Sequence, residues 1–376
     1  MSGSVQFSEL PCSDSEHKIA VATLDNADSL NALSLNMLKA LKQQLTLWHE
    51  DDAIVCVLIE GTGNKAFCAG GDVRTMYHVM RDASDDEITD FCCEYFTLEY
   101  QCDYLIHTYC KPIVAWGEGI VMGGGMGLYM GSSHKVVTPS SRLAMPEISI
   151  GLYPDVGATW FLNRLDQGVG LFLGLTGMMV NATDALSLHL ADHLVLPEHK
   201  AMLLQQLQVA DWECVDDEYE VVTEMLEAFQ AEAHGHQPDP QISPYLSQIQ
   251  TACQADSVIQ VVDSINAIVG NEAWLATAKS NLTSGSPITA HICYRQMTQY
   301  HHLSLADCFR LELDLSLRCA LLGEFREGVR SRLIDKDNQP NWRFKHVAQV
   351  DEKVIDSLFT SLWQQDSHPL SQLGHY

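Results

Sequence analysis

Basic side chains are scarce in this sequence: 22 Lys and Arg stand against 49 Asp and Glu, a formal net charge of -27 over 376 residues. Such a balance repels nucleic acid and anionic membrane surfaces, so neither is an expected partner. A phosphate-bearing ligand would need local help, from Lys65, Arg74 or backbone amides. Long apolar runs are missing as well, and without a stretch of about 18 apolar residues no membrane-spanning helix is expected. There is no C-x-x-C pair among the twelve cysteines, which scatter from Cys12 to Cys319. That leaves no basis for a zinc knuckle or a thioredoxin-like site. The same scatter, in a long chain with no apolar signal segment at its N-terminus, predicts a reducing, cytoplasmic setting. Neither a G-x-S-x-G elbow nor a G-x-x-x-x-G-K-[ST] loop occurs, and the glycines near residue 123 do not form G-x-G-x-x-G. Serine hydrolase, P-loop and Rossmann readings lose their main support. His189 and His193 stand four apart on a predicted helix, a spacing that suits a metal, but no third ligand accompanies them, and no metal is expected.

What is present is a repeated local design. Lys18 to Leu24 alternates as a short strand, and Asn31-Ala32-Leu33-Ser34 opens a helical pattern that runs to about Trp48. Ile54 to Ile59 is nearly all apolar, as in a parallel strand covered on both faces. It leads through Phe67-Cys68-Ala69-Gly70-Gly71-Asp72 into a helical stretch from Val73 to Met80. The strand Ile113 to Trp116 leads in the same way through Gly123-Gly124-Gly125 into an apolar segment, and a further strand covers Lys135 to Thr138. Strand and helix in alternation predict an α/β fold with right-handed crossovers. Beyond about residue 200 helices dominate, and Ser286-Pro287 is an N-cap and first-turn pair for a helix through Tyr300. The expected organisation is a core over residues 13–200 and a mainly helical region over 201–376 packed on it.

A glycine cluster alone marks a turn or a close approach. Two of them, each after a buried strand and before a helix, can present two backbone N–H groups to one carbonyl oxygen. Glu147, twenty-three residues after Gly124, follows Pro146 in an apolar, small-residue stretch where an unpaired carboxylate is costly. That placement favours acid, base or nucleophilic use over an exposed loop position. Asp155, eight residues further on and after Pro154, reads equally well as a turn or N-cap residue.

Asn31-Ala32-Leu33, Phe67-Cys68-Ala69-Gly70-Gly71-Asp72 and Gly123-Gly124-Gly125 together resemble the crotonase (enoyl-CoA hydratase/isomerase) superfamily, which acts on acyl-coenzyme A thioesters. Ala144-Met145-Pro146-Glu147, Ile150 to Gly157, Glu327-Gly328-Val329-Arg330 and Leu333 to Asp337 are similar to its 3-hydroxyisobutyryl-CoA hydrolase branch, and the match spans about residues 13 to 350. The resemblance implies a crotonase-like spiral of ββα and βαβ turns with a helical C-terminal region. It further implies an oxyanion hole from the N–H groups of Gly71 and Gly124. Hydratases of the superfamily carry two catalytic glutamates, and this chain has Gly127 at the first position and Glu147 at the second. Hydration is thereby disfavoured, and the hydrolase branch implies Glu147 with Asp155 as catalytic acids and Glu99 as a further substrate-binding acid. The roles of Asp155 and Glu99 are interchangeable on this basis. Glu147 either activates water or attacks the carbonyl itself. The implied activity is hydrolysis of a short 3-hydroxyacyl-CoA, best matched by 3-hydroxyisobutyryl-CoA of valine breakdown. Enoyl-CoA hydration or isomerisation, and non-catalytic acyl-CoA binding, are the alternatives. No cofactor beyond the substrate's own coenzyme A is implied, and superfamily members often form trimers or hexamers.

Overall fold

The computed structural model describes residues 3–375. The chain divides into two compact units, and it enters each of them more than once. The first comprises the chain as far as Gly71, then Cys102–Leu143 and Val180–Ser243. Its strands are β1 (Ser4–Pro11), β2 (Lys18–Asp25), β3 (Ile54–Gly61), β4 (Ala66–Cys68), β5 (Ile113–Gly117), β6 (Ile120–Met122), β7 (His134–Val137), β8 (Arg142–Ala144), β9 (Val180–Asn181) and β10 (His193–Leu194). One sheet has the order β1-β2-β3-β5-β7-β10 and the other β4-β6-β8-β9. Along the chain β3 precedes β4, β5 precedes β6 and β7 precedes β8, so each turn of the spiral gives one strand to each sheet. Within the larger sheet only β1 and β2 pair antiparallel; the rest are parallel.

Burial explains the strand sequences. β3 is buried along nearly its whole length, which is why both of its faces are apolar. The helix Leu35–Glu50 buries Met37, Leu38, Leu41, Leu45 and Trp48, a 3.6-residue spacing, and Ser34 caps it by accepting from the Met37 N–H. Asn31 lies outside this helix. It has a positive φ of 59°, is almost fully buried, donates from Nδ2 to the carbonyls of Thr62 (3.1 Å) and Ala66 (2.8 Å), and accepts from the Asn26 N–H (3.0 Å). Its short amide side chain tolerates that backbone and ties three loop segments together. The helices His199–Val209 and Glu218–Glu232 supply Leu203, Leu207, Val222, Leu226 and Phe229 to a core shared with Val21, Val55 and Val136 of the sheet.

The second unit comprises Asp72–Gln101, Ala144–Met179 and the chain from Pro244 onward, and it is essentially helical. The helix Val169–Thr176 is buried at every residue. Ser286 caps Pro287–Gln299 as the sequence predicts, accepting from the Thr289 N–H. No helix among the described residues is long and apolar enough to cross a membrane.

Candidate active site

In the first unit the two glycine turns leave neighbouring parallel strands, with Cys68 of β4 paired to Val121 of β6. The Leu33 N–H bonds the Gly70 carbonyl at 2.8 Å, and Leu33 forms a parallel bridge with Gly71, which fixes the first turn. The second turn is close by: a Cβ built on Gly70 would lie 3.6 Å from the Gly124 nitrogen. Gly123, with φ 53°, serves as N-cap of the buried helix Gly124–Gly131 and its carbonyl accepts from the Met126 N–H at 2.7 Å, while the N–H groups of the first two helical residues have no acceptor within the helix. The helix dipole adds a partial positive charge at that end. Gly71 and Gly124 are therefore held in one small region of this unit, on turns that carry no side chain of their own.

Gly127, on the next turn of the same helix, has no room for a side chain. A Cβ there would sit 2.6 to 2.8 Å from the carboxylate atoms of Asp103, which is itself fully buried. A second acid thus borders the position where a hydratase carries its first glutamate, and nothing in the spacing of sequence motifs signalled it.

The acids of the second unit form a cluster. Glu147 opens a 3-10 turn, Glu147–Ile150, and is 4 % exposed, with one carboxylate oxygen that has no hydrogen-bond partner. Burial pushes its carboxyl well above the usual range, and the negative charges of Asp155 and Glu99 push it further. Glu99, on the helix Asp85–His107, is equally buried, and it is raised first by burial and then by Asp155. Asp155 is buried and raised to about 7 by desolvation, opposed in its ionised form by the hydroxyl of Tyr100, which then donates to its Oδ2 at 2.7 Å. The structure therefore brings Glu99, Glu147 and Asp155 together within one unit. The turn reading of Asp155 gives way to a buried carboxyl among aromatic rings, with Tyr100 packed between Phe96 and Phe309.

The Glu147 turn is wedged in place from the C-terminal side. A Cβ on Gly328 would come within 2.2 Å of the Ile150 carbonyl, so the helix Glu324–Val329 lies directly on the turn. Arg330 then ties Glu327, Asp335 and Asp337 together at 2.6 to 2.8 Å. The first C-terminal motif thus packs against the turn that carries Glu147, and its Arg330 holds the second by ion pairs.

Glu312 is a functional candidate that motif reading missed. Buried on the helix Leu305–Leu322, it accepts from the N–H groups of Gly157 (2.7 Å) and Thr159 (2.9 Å), and burial raises it to about 8. Between Asp155 and Gly157, Val156 takes a φ of 52°, a strained value for a β-branched residue. Glu312 offsets that strain by clamping the loop that carries Asp155. A signal existed in the sequence: Glu312 interrupts the apolar helix Leu311-Glu312-Leu313-Asp314-Leu315. His189 and His193 do not share a helix, since the helix ends at Ser187 and His193 lies on β10. Lys65 and Arg74 are both exposed.

The family model for enoyl-CoA hydratase/isomerase matches residues 19–359. The chain belongs to that family. Within the family it is similar to the mitochondrial 3-hydroxyisobutyryl-CoA hydrolases of Danio rerio and Xenopus tropicalis. Identity is 35% to each, over 93% of this chain and 89% of the first relative, and over 92% and 87% for the second. Among solved structures it superposes on a carnitinyl-CoA dehydratase from Mycobacterium thermoresistibile with a TM-score of 0.82 and 26% identity, covering 99% of both chains. These family relatives overturn the cytoplasmic expectation, because the hydrolases are named mitochondrial. The cysteine argument separates reducing from oxidising surroundings and does not choose among reducing compartments.

Proposed function

We propose that this chain hydrolyses a short 3-hydroxyacyl-CoA thioester, 3-hydroxyisobutyryl-CoA being the best match, to the free hydroxy acid and coenzyme A. The observation that carries the reading is the three-carboxyl cluster of Glu99, Glu147 and Asp155, with an unpartnered oxygen on Glu147. A raised carboxyl, once ionised, is a strong base or nucleophile.

In this reading the N–H groups of Gly71 and Gly124 hold the thioester oxygen as it gains charge, a contribution of about 3 kcal/mol per donor. Glu147 drives attack on the thioester carbon. If it acts through water, it takes the water proton as the C–O bond forms. If it attacks directly, an anhydride forms and water opens it. In both cases the C–S bond breaks and the sulfur takes a proton, for which Asp155, raised to about 7, is the suited donor. Glu99 borders the acyl group. Water addition to an enoyl-CoA is the second reading, favoured by the fold shared with the dehydratase and opposed by Gly127, which supplies no carboxylate.

The test is thiol release from 3-hydroxyisobutyryl-CoA, with crotonyl-CoA followed in parallel for loss of enoyl absorbance. Thiol release that falls by at least 10²-fold in Glu147→Gln is the expected result. Enoyl loss without thiol release would replace this proposal with the second reading, and binding without turnover would refute both.

A further inference from the structure

Asp155 stands at one end of a buried chain of oxygens within the second unit. Tyr100 Oη lies 2.7 Å from Asp155 Oδ2 and 2.7 Å from Ser316 Oγ. Ser316 Oγ lies 2.8 Å from Tyr153 Oη, which lies 2.5 Å from the backbone carbonyl of Glu312. Asp155, Tyr100, Tyr153 and Ser316 are all buried, so these four contacts must be satisfied internally.

Counting protons decides how. Three hydroxyls bring three hydrogens. The Glu312 carbonyl can only accept, so it takes the Tyr153 hydrogen. An ionised Asp155 can only accept too, and it takes the Tyr100 hydrogen. Ser316 then has one hydrogen for two remaining contacts, and at the other contact two oxygens face each other with lone pairs. A proton on Asp155 Oδ2 removes the conflict. Asp155 then donates to Tyr100, Tyr100 to Ser316, Ser316 to Tyr153 and Tyr153 to the Glu312 carbonyl, so each contact holds one hydrogen.

We propose that Ser316 and Tyr153 are positioning residues which, acting through Tyr100, keep a proton on Asp155 so that it is ready to protonate the departing sulfur. The chain ends at a carbonyl, so it stores the proton on Asp155 rather than conducting it away. Other groups acting on Asp155 or its partners point the same way: Glu99 from the helix Asp85–His107, Glu147 from its 3-10 turn, and Glu312 and Cys319 from the helix Leu305–Leu322 are acidic or neutral. The proposal rests on the proton-donor role given to Asp155 above, and its test reads the carboxyl itself.

In the full-length protein, 13C-aspartate labelling and the Asp155→Asn variant assign the infrared band of the protonated Asp155 carboxyl, which is then titrated with pH. Ser316→Ala and Tyr153→Phe each delete the conflicting contact while sparing the Tyr100 bond. Each is expected to move the titration about one pH unit lower, a tenfold loss of proton affinity. The alkaline limb of kcat/KM for thiol release should move with it. A merely structural role predicts the opposite, because removing a buried hydroxyl leaves the carboxylate less solvated and its titration unchanged or higher. That outcome in both variants overturns the proposal. Two substitutions at different positions guard against one failing to fold, and the infrared titration stands whether or not the thioester is hydrolysed.

Discussion

Substituting Gly127 with alanine should reverse its effect on stability according to the residue at position 103. Gly127 lies inside the helix Gly124–Gly131, and it is absent from the positive-φ residues, so its backbone suits any amino acid. On propensity alone Gly127→Ala would stabilise, by about 0.5 to 1 kcal/mol. Sterics oppose this. The new methyl would lie 2.6 Å from Asp103 Oδ2, 2.8 Å from Cγ and 2.8 Å from Oδ1, about 1 Å inside ordinary contact with all three atoms. Asp103 has two side-chain torsions and is completely buried, so it has little freedom to yield. Overpacking of this kind costs about 1 to 3 kcal/mol. The net expectation for Gly127→Ala is a loss of about 1 to 2 kcal/mol.

In an Asp103→Ala background the obstructing carboxylate is gone and only the helix preference remains, so the same substitution should be neutral or stabilising. Urea unfolding of the four proteins closes a double-mutant cycle, with an expected coupling of about 1.5 to 3 kcal/mol. Equal losses in the two backgrounds would refute the reasoning, because the clash would then have some other source. A glutamate at 127 meets the same obstacle with a second buried carboxyl added. Installing the missing hydratase acid should therefore require removal of Asp103 first.

Other expectations follow from the buried acids. Glu312, about 4.5 when unfolded and about 8 when folded, holds a proton in the native state that the unfolded chain has released, so its contribution to stability is full below about pH 4.5 and is lost as pH rises through 8. Between pH 6.5 and 8 stability should fall by about 1.6 kcal/mol from this group alone; chemical unfolding at several pH values should show a weaker slope in Glu312→Gln. In the first unit, Asp184 accepts from the N–H groups of Gln241, Ile242 and Ser243 and from the Ser243 hydroxyl, at 2.7 to 3.0 Å. Asp184→Ala should cost roughly 3 to 5 kcal/mol and open residues 234–240 to limited proteolysis.

Local chemistry made much of the fold readable. β3 could be read because a strand covered on both faces must be apolar throughout, and the helix after Ser34 because its cap and its 3.6-residue spacing agree. The ten-residue helix after Asp72 is signalled in the same way, since Asp72 accepts from the Thr75 N–H. β1 was missed. Ser4 to Ser8 alternates exposed with half-buried residues, Val5 and Phe7 on one side, but this edge strand pairs only with β2, and the short polar alternation was passed over for the more apolar segments that follow. The histidine pair failed for a related reason: a four-residue spacing has meaning only on a helix, and the backbone turns at His189 with φ 59°.

The site divides along the same line. Glu147 was visible because it stands in apolar surroundings within the sequence itself. Asp155 was ambiguous because what buries it comes from elsewhere: Tyr100, fifty-five positions earlier, and Ser316 and Glu312, more than 150 positions later. Neighbouring residues report a side chain's local backbone; they do not report its proton. Whether Asp155 acts as acid or base depends on the number of hydrogens in a chain of oxygens drawn from a long helix, a strained loop and a helix much later in the chain. A conservative change at Ser316 therefore bears on the chemistry more directly than its distance in sequence from Glu147 and Asp155 suggests. It removes one hydroxyl from a closed count, and the count can then be balanced only by a different protonation state at the other end.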